Sequence, residues 1–386
     1  MKTLYLHIGT MKTGTTNLQS FFNKNRDILK KYGVIFRHMP YVYSDATMNR
    51  NAHFLCKRLY DENMQYDKES TDRRWYEGMD IVKGWFEECD SVLLSDEVMW
   101  NVNYQLKGSI IKRIADYARD NGFVVKVIVY LRRQDELADS MYRQSIRRGY
   151  STYSWDEFLN QFPKKTCLDY EYGLGLIEEF IDSENIIVRR YDGLSYEDND
   201  SAIYSDFLSA IGVPFTDEYI IPKMDYNPSL QPQFAAIKKT MNKLIDNSDV
   251  PTADSGNILF RDTINECCRQ GYFGGSKYMS DDESAAYMET FRESNHRVAE
   301  KYLGADTLFE NEPELKAKWQ WNAEEQIEAL ALFMGTIIKN QQLQIKNQQL
   351  QLEEIQKNQS ELKDEMGLLK NNKIYRLFNK MGRLGK

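Results

Sequence analysis

Short apolar runs alternate with longer amphipathic stretches along the first 220 or so residues of the chain. Apolar runs of four to eight residues predict strands, and apolar residues at every third or fourth position predict helices. The predicted strands are Thr3–His7, Val34–Arg37, Ser91–Ser95, Val124–Leu131 and Asn185–Arg190, and the helical patterns between them include Asn17–Lys31, Asn103–Asn121 and Tyr170–Asp182. Strands that alternate with helices predict a three-layer α/β fold, a central parallel sheet flanked by helices.

After Pro222 the pattern turns helical, over Gln233–Asp246, Asn257–Arg269 and Asp281–Tyr302. The segment Gly271–Lys277, with the sequence GYFGGSK, interrupts it and is predicted to be a loop. This loop either closes over a ligand or lies on the surface as a plain connection.

The C-terminal region from Ala323 carries a seven-residue repeat, KNQQLQI at 339–345 followed by KNQQLQL at 346–352. With Ile345 at position a, position a holds Ala331, Ile338, Ile345, Leu352, Gln359 and Met366, and position d holds Ile327, Met334, Gln341, Gln348, Ile355, Leu362 and Leu369. The repeat predicts a coiled-coil helix over 323–369 that joins copies of the chain into a homo-oligomer. A single solvated helix is the alternative, and Leu343 and Leu350, outside the a/d positions, favour a larger bundle.

The last segment, residues 370–386, holds six basic residues and no acidic one. Its apolar residues fall on one helical face, which predicts an amphipathic tail that binds an anionic membrane surface. A frayed, soluble tail is the alternative. The predicted organisation is therefore a globular domain over 1–322, a coiled coil over 323–369 and a basic tail over 370–386.

Composition narrows the functional classes. The net charge of −8 argues against general nucleic-acid binding. The five cysteines form no zinc-binding pattern, and their scatter is typical of a reducing cytoplasm. The N-terminal pattern predicts no secretory leader, and the sequence holds no apolar run of about 20 residues. We therefore expect a cytoplasmic protein that is peripheral on the inner membrane if the tail binds lipid.

The segment His7–Thr16, HIGTMKTGTT, lies between the first strand and the first helix. Glycines let the backbone approach an anion, and amide groups at a helix N-terminus point at it. Lys12 adds a positive charge, and the hydroxyls of Thr13, Thr15 and Thr16 add donors. The segment therefore predicts a phosphate-binding loop.

This loop differs from the nucleoside-triphosphate loop G-x4-G-K-[ST]. Gly9 and Gly14 have the right separation, but Thr15 stands where the lysine belongs, and the lysine has moved to Lys12. The run SVLLSDE at 91–97 can also be interpreted as a Walker-B strand that holds magnesium. A P-loop kinase or NTPase that uses Mg-ATP is therefore one alternative function.

A second motif follows the most apolar strand, Val124–Leu131. Arg132 comes directly after that strand, and Ser140 lies eight residues further on, in a predicted helix. An arginine offers a bidentate fork to a phosphate, and a serine offers a short donor.

Together the two motifs resemble those of sulfotransferases that use 3′-phosphoadenosine 5′-phosphosulfate (PAPS), closest to the bacterial carbohydrate-type branch, over roughly residues 1–310. The resemblance implies a P-loop-like fold and PAPS as co-substrate, with no metal. It assigns the 5′-phosphate to Thr13, Gly14, Thr15 and Thr16, and the 3′-phosphate to Arg132 and Ser140. Lys12 would stabilise the charge that grows on the oxygen between sulfur and the 5′-phosphate.

Sulfuryl transfer to a hydroxyl also needs a general base. Glu97, at the end of the strand Ser91–Ser95, is the preferred candidate, and His53, in a polar stretch, is the other. The resemblance implies a bacterial glycan or a lipid-linked saccharide as acceptor. An inactive coiled-coil scaffold is the remaining alternative.

Overall fold

A computed structural model describes residues 1–149, 151–191, 201–222, 229–244, 255–309 and 317–371, with residues 373, 376 and 377. Of the 17 residues of the predicted basic tail, 12 lie outside these residues. Within them, no helix combines the length and the apolarity that crossing a bilayer requires.

One parallel sheet forms the centre of the fold. Its strands are β1 (Thr3–His7), β2 (Val34–Ile35), β3 (Ser91–Ser95), β4 (Val124–Leu131) and β5 (Ile186–Arg190). They lie in the order β2-β3-β1-β4-β5, and every neighbouring pair is parallel. The predicted parallel sheet is confirmed, and β1, β3 and β4 have the predicted bounds.

Helices account for most of the remaining described chain. Before residue 222 they are α1 (Thr15–Lys24), α2 (Arg26–Lys31), α3 (Lys68–Trp85), α4 (Met99–Gln105), α5 (Ser109–Asn121), α6 (Gln134–Arg147), α7 (Trp155–Lys165), α8 (Tyr170–Glu178) and α9 (Ala202–Ala210). After it they are α10 (Pro232–Leu244), α11 (Ser255–Arg269), α12 (Asp281–Glu289), α13 (Arg292–Leu303) and α14 (Ala323–Asn371).

Both faces of the sheet are covered, so the fold has the three predicted layers. Leu4 and Leu6 of β1 pack in a core with side chains of α3, α5, α8 and α13. Leu93 of β3 and Ile128 of β4 pack on the opposite face with side chains of α1 and α9. Because side chains alternate along a strand, each central strand contributes to both cores.

Three predicted helices are wrong in their continuity. The pattern Asn17–Lys31 is interrupted at Asn25, whose side-chain amide donates to the carbonyls of Phe21, at 2.8 Å, and Ile220, at 2.9 Å. These bonds pin the backbone at the junction of α1 and α2.

The patterns Asn103–Asn121 and Asp281–Tyr302 are each broken as well. Lys107 and Gly108 adopt left-handed conformations, with φ of 49° and 81°, between α4 and α5. Thr290 follows α12, and its hydroxyl donates to the Tyr287 carbonyl at 2.7 Å. The two parts of each broken pattern then contact different elements: α5 contacts β4 whereas α4 contacts α8, and α13 contacts α8 and β5 whereas α12 contacts α6.

Candidate functional site

The segment between β1 and α1 lies at the carboxyl edge of the sheet. α1 begins after Gly14, whose φ is 71° and which places no side chain over the first turn of the helix. No side chain caps this turn, so the N–H groups of Thr15 and Thr16 and the positive end of the helix dipole can face an anion. Lys12, in a left-handed conformation with φ of 65°, lies in the same loop.

Lys12 lies in a strongly positive environment. Burial, followed by the charges of Arg147, Arg132 and Arg148, lowers the pKa of Lys12 to about 8. The Lys12 carbonyl also accepts a hydrogen bond of 3.0 Å from Nη1 of Arg132. The structure thus brings the two predicted phosphate motifs, at the ends of neighbouring strands β1 and β4, into direct contact.

The three threonines of the loop differ in their surroundings. The Thr13 hydroxyl is fully buried and donates to the Thr10 carbonyl at 2.6 Å, so it shapes the loop. Thr15 is also buried, whereas Thr16 is exposed. A contact between Thr13 and a phosphate would therefore use the Thr13 backbone N–H. Of the three threonines, Thr16 has the exposed hydroxyl.

Arg132 and Ser140 line one cavity of about 380 Å³. The loop predicted at Gly271–Lys277 forms part of the same wall, through its residues Gly274, Gly275, Ser276 and Lys277. Glu136 bonds to Arg132, with Oε2 at 3.2 Å from Nε, so an anionic ligand would compete with this carboxylate. The neighbouring Arg133 is paired with Asp135 at 3.1 Å.

Two sets of contacts hold that loop in place. Arg143 of α6 donates to the Ser276 carbonyl at 2.5 Å and to the Leu230 carbonyl at 2.6 Å. The backbone of Lys277 is bonded on both sides, to the Ala317 carbonyl at 3.0 Å and to the Trp319 amide at 2.7 Å. The segment that leads into α14 therefore supports the wall of the cavity.

Glu97 lies beside the phosphate-binding loop. Its carboxylate accepts a hydrogen bond of 3.0 Å from Nε2 of Gln19, in α1, and lies 3.6 Å from Nε of Arg50. The Glu97 side chain is 17% exposed. A Cβ added to Gly9 would lie 2.9 Å from the Glu97 carbonyl oxygen, so the turn after β3 contacts the loop directly.

Asp96, the neighbour of Glu97, is fully buried in a hydrogen-bonded network. Arg50 Nη2 contacts Oδ1 at 2.7 Å, and His53 Nδ1 contacts Oδ2 at 2.7 Å. Burial acts to raise the pKa of Asp96, but the bonds from His53 and Arg50 outweigh it and lower that pKa. His53 Nε2 lies 3.5 Å from Asp45, and the His53 side chain is only 6% exposed.

This network bears on the Walker-B interpretation. Both oxygens of Asp96 already accept bonds, one from Arg50 and one from His53, and the positive charge of Arg50 disfavours a cation at this carboxylate. His53, Cys56 and Asp96 also lie close enough to share an ion. However, burial raises the pKa of the Cys56 thiol well above its usual range, and Arg50 already neutralises Asp96. The geometry therefore favours a hydrogen-bonded network over a cation site.

Sequence reasoning missed Gln19 and Arg143, and it placed Arg50 only in the polar stretch that contains His53, without a role of its own. A signal existed only for Gln19, which lies on the buried face of α1 one turn after Thr15. A polar residue on a buried helical face requires a hydrogen-bonding partner. Arg50 lies in a loop without periodicity, so nothing in the pattern indicates its contacts.

The chain was compared with protein families, curated proteins and solved structures. No protein-family model matches the chain. An uncharacterized protein from Archaeoglobus fulgidus is 28% identical over 188 residues, or 48% of each protein. The chain thus spans about half the length of this curated relative.

Two solved structures are similar to part of the chain. A sulfotransferase from Alicyclobacillus acidocaldarius is 17% identical, with a TM-score of 0.35, over 62% of this chain and 92% of that one. Mouse sulfotransferase SULT7A1, complexed with PAP, is 14% identical, with a TM-score of 0.34, over 76% and 84%.

Proposed function

We propose that this protein transfers a sulfuryl group from PAPS to a hydroxyl of a bacterial glycan or a lipid-linked saccharide. The observation that carries the proposal is the contact between Arg132 Nη1 and the Lys12 carbonyl, at 3.0 Å. This contact places the N-terminus of α1 and Lys12 beside the cavity that Arg132 and Ser140 line. A donor with a phosphosulfate at one end and a separate phosphate at the other needs two such adjoining anion sites.

The residues of the loop would act on the leaving group. As the acceptor oxygen attacks sulfur in line, the bond between sulfur and the 5′-phosphate oxygen breaks, and negative charge grows on that oxygen. Lys12 and the first amides of α1 would stabilise this charge because they are already oriented before the reaction. Arg132 and Ser140 would hold the 3′-phosphate, which fixes the donor along the sheet edge.

Glu97 is our candidate for the base that accepts the proton of the acceptor hydroxyl. Gln19 and Arg50 orient its carboxylate, and it is more exposed than His53. His53 is the second candidate, because Asp96 orients its Nδ1 and leaves Nε2 to act as the base.

Turnover of two variants with PAPS and a panel of glycan acceptors distinguishes these candidates. Glu97→Gln should lower turnover roughly 100-fold or more, as expected for the loss of a general base. It should not weaken the binding of PAP (3′-phosphoadenosine 5′-phosphate), the product that remains when PAPS has lost its sulfuryl group. Full activity of Glu97→Gln together with its loss in His53→Gln would assign the base to His53. If no acceptor receives a sulfuryl group from PAPS and an acceptor instead receives a phosphoryl group from Mg-ATP, with release of ADP, the kinase alternative is favoured.

The basic tail suggests where the acceptor is met. Six basic residues on 370–386 would hold the enzyme at an anionic leaflet, near a lipid-linked saccharide. Removal of residues 370–386 should release the protein from anionic vesicles at low salt. Neither the full chain nor the shortened chain should bind neutral vesicles. Equal binding of the full and shortened chains to anionic vesicles would contradict this role.

A further inference from the structure

One face of α14 is used by the globular part of its own chain. Ala329 and Phe333 are buried against side chains of α10 and α11. Further along, Thr336 contacts Cys267 at 3.5 Å, and the Asn340 side chain donates to Glu266 at 3.0 Å. In the heptad frame with Ile345 at position a, all four of these α14 residues occupy positions c and f.

The opposite face of the helix is exposed in the part of the chain that the structure describes. Eight apolar side chains at positions a and d are each at least half exposed. They are Ile327, Met334, Ile338, Ile345, Leu352, Ile355, Leu362 and Met366. Positions a and d lie on the side of a helix away from c and f. In the structure, α14 therefore contacts the globular domain with one face and carries its apolar a and d residues on the opposite face.

The a/d face extends far beyond the last contact between α14 and the globular domain. From Ile327 to Met366 it spans about 60 Å at 1.5 Å per residue. The contacts between α14 and the other described residues end near Asn340, and these contacts leave the apolar a/d side chains of α14 exposed. A surface of this length and periodicity is complementary to another long helix with the same repeat. A second copy of this chain carries that repeat.

The glutamines of the seam indicate the orientation of the pair. In a parallel, in-register pair, Gln341 and Gln348 each face the same glutamine of the other copy, and their amides can bond to each other. In an antiparallel pair centred on the seam, Gln341 would face Leu352 and Gln348 would face Ile345. Burying an amide against an apolar side chain leaves its polar atoms without partners, which is unfavourable.

We propose that α14 pairs in parallel and in register with α14 of a second copy through its a/d face. The two globular domains then lie at one end of the coiled coil and the two tails at the other. This inference does not depend on the proposed enzymatic activity, because it uses only the exposed and docked faces of α14.

Light scattering on the full chain tests the pairing, with two double variants matched in residue type and exposure. Ile345→Asp with Leu352→Asp alters the a/d face, where the side chains are 54% and 56% exposed. Leu343→Asp with Leu350→Asp alters position f, where they are 57% and 55% exposed. We expect twice the chain mass of 45.4 kDa for the wild type and the f variant, and 45.4 kDa for the a/d variant.

A chain that ends at Asn340 keeps the docked turns and should be a folded monomer by light scattering and circular dichroism. A monomeric wild type, a mass above two chains, or dissociation by the f variant and not by the a/d variant would overturn the proposal. Orientation is tested by Leu362→Cys, which should form a disulfide between copies under mild oxidation only in a parallel pair. The absence of that bond, with wild type as the control, would overturn the parallel arrangement.

Discussion

Nε2 of Gln19 donates a hydrogen bond of 3.0 Å to Oε2 of Glu97 and lies 3.2 Å from the hydroxyl of Ser95. Gln19 belongs to α1, which begins at the phosphate-binding loop, and Glu97 follows β3. The helix that would receive the 5′-phosphate therefore also orients the candidate base. Through this bond, the position of α1 is coupled to the position of Glu97.

We expect Gln19→Leu to lower kcat by about 10-fold or more, because a base that is no longer oriented spends less time in reach of the acceptor. PAP affinity should stay close to that of the wild type, since Gln19 lies one turn inside α1. Steady-state kinetics and calorimetry measure the two effects separately. A variant that loses PAP binding as strongly as turnover would assign Gln19 to the packing of α1 instead.

A second prediction concerns the protonation of Lys12. Burial, with the charges of Arg147, Arg132 and Arg148, lowers the pKa of Lys12 to about 8. The ammonium is therefore fully formed well below that pH and is lost as the pH rises through it. An anionic ligand binds the charged form more tightly, so PAP affinity should fall above about pH 8, by at most about tenfold per pH unit.

Calorimetry between about pH 7 and 9.5 checks this dependence. Lys12→Arg keeps the charge and should flatten the profile, because the guanidinium remains protonated at these pH values. Lys12→Met should bind PAP weakly throughout that range. A wild-type profile that is as flat as that of Lys12→Arg would show that Lys12 does not titrate in contact with the ligand.

Gly9 offers a third test, with Gly33 as the control. Both have positive φ, of 106° and 81°, but a Cβ on Gly9 would lie 2.9 Å from the Glu97 carbonyl, whereas a Cβ on Gly33 meets open space. Alanine at either position should cost about 1–2 kcal/mol for the left-handed backbone. Gly9→Ala should in addition lower turnover, because it displaces the Glu97 turn. Equal turnover in the two variants would contradict the coupling of loop and turn.

The strands were predictable where local pattern decides the structure. Val124–Leu131 is apolar along its whole length, and β4 has those bounds. The prediction of Val34–Arg37 was too long, because the Arg37 carbonyl accepts a bond from the side chain of Asn51, at 3.0 Å, instead of from a neighbouring strand. That contact joins residues 14 apart in a region without periodicity.

The helix breaks and the site also depend on contacts between residues that are far apart in the sequence, which local patterns do not predict. Gly108 is a local signal for the break before α5, but Asn25 acts by bonding to Ile220, 195 residues away. Lys12 and Arg132 could be recognised because each stands at a fixed distance from a strand end. The network of Arg50, His53 and Asp96 joins residues that lie 43 and 46 apart, so no spacing could predict it.

The central claim is that two anion sites, the loop around Lys12 and the cavity with Arg132 and Ser140, bind the two ends of one donor. Calorimetry with PAP and with AMP tests it most directly, because the two ligands differ only in the 3′-phosphate. We predict that the wild type binds PAP roughly 10- to 100-fold more tightly than AMP, as expected for one lost charged hydrogen-bonded contact. Arg132→Met should remove most of that difference, with a much larger loss of affinity for PAP than for AMP. Equal affinities of the wild type for PAP and AMP would contradict the account.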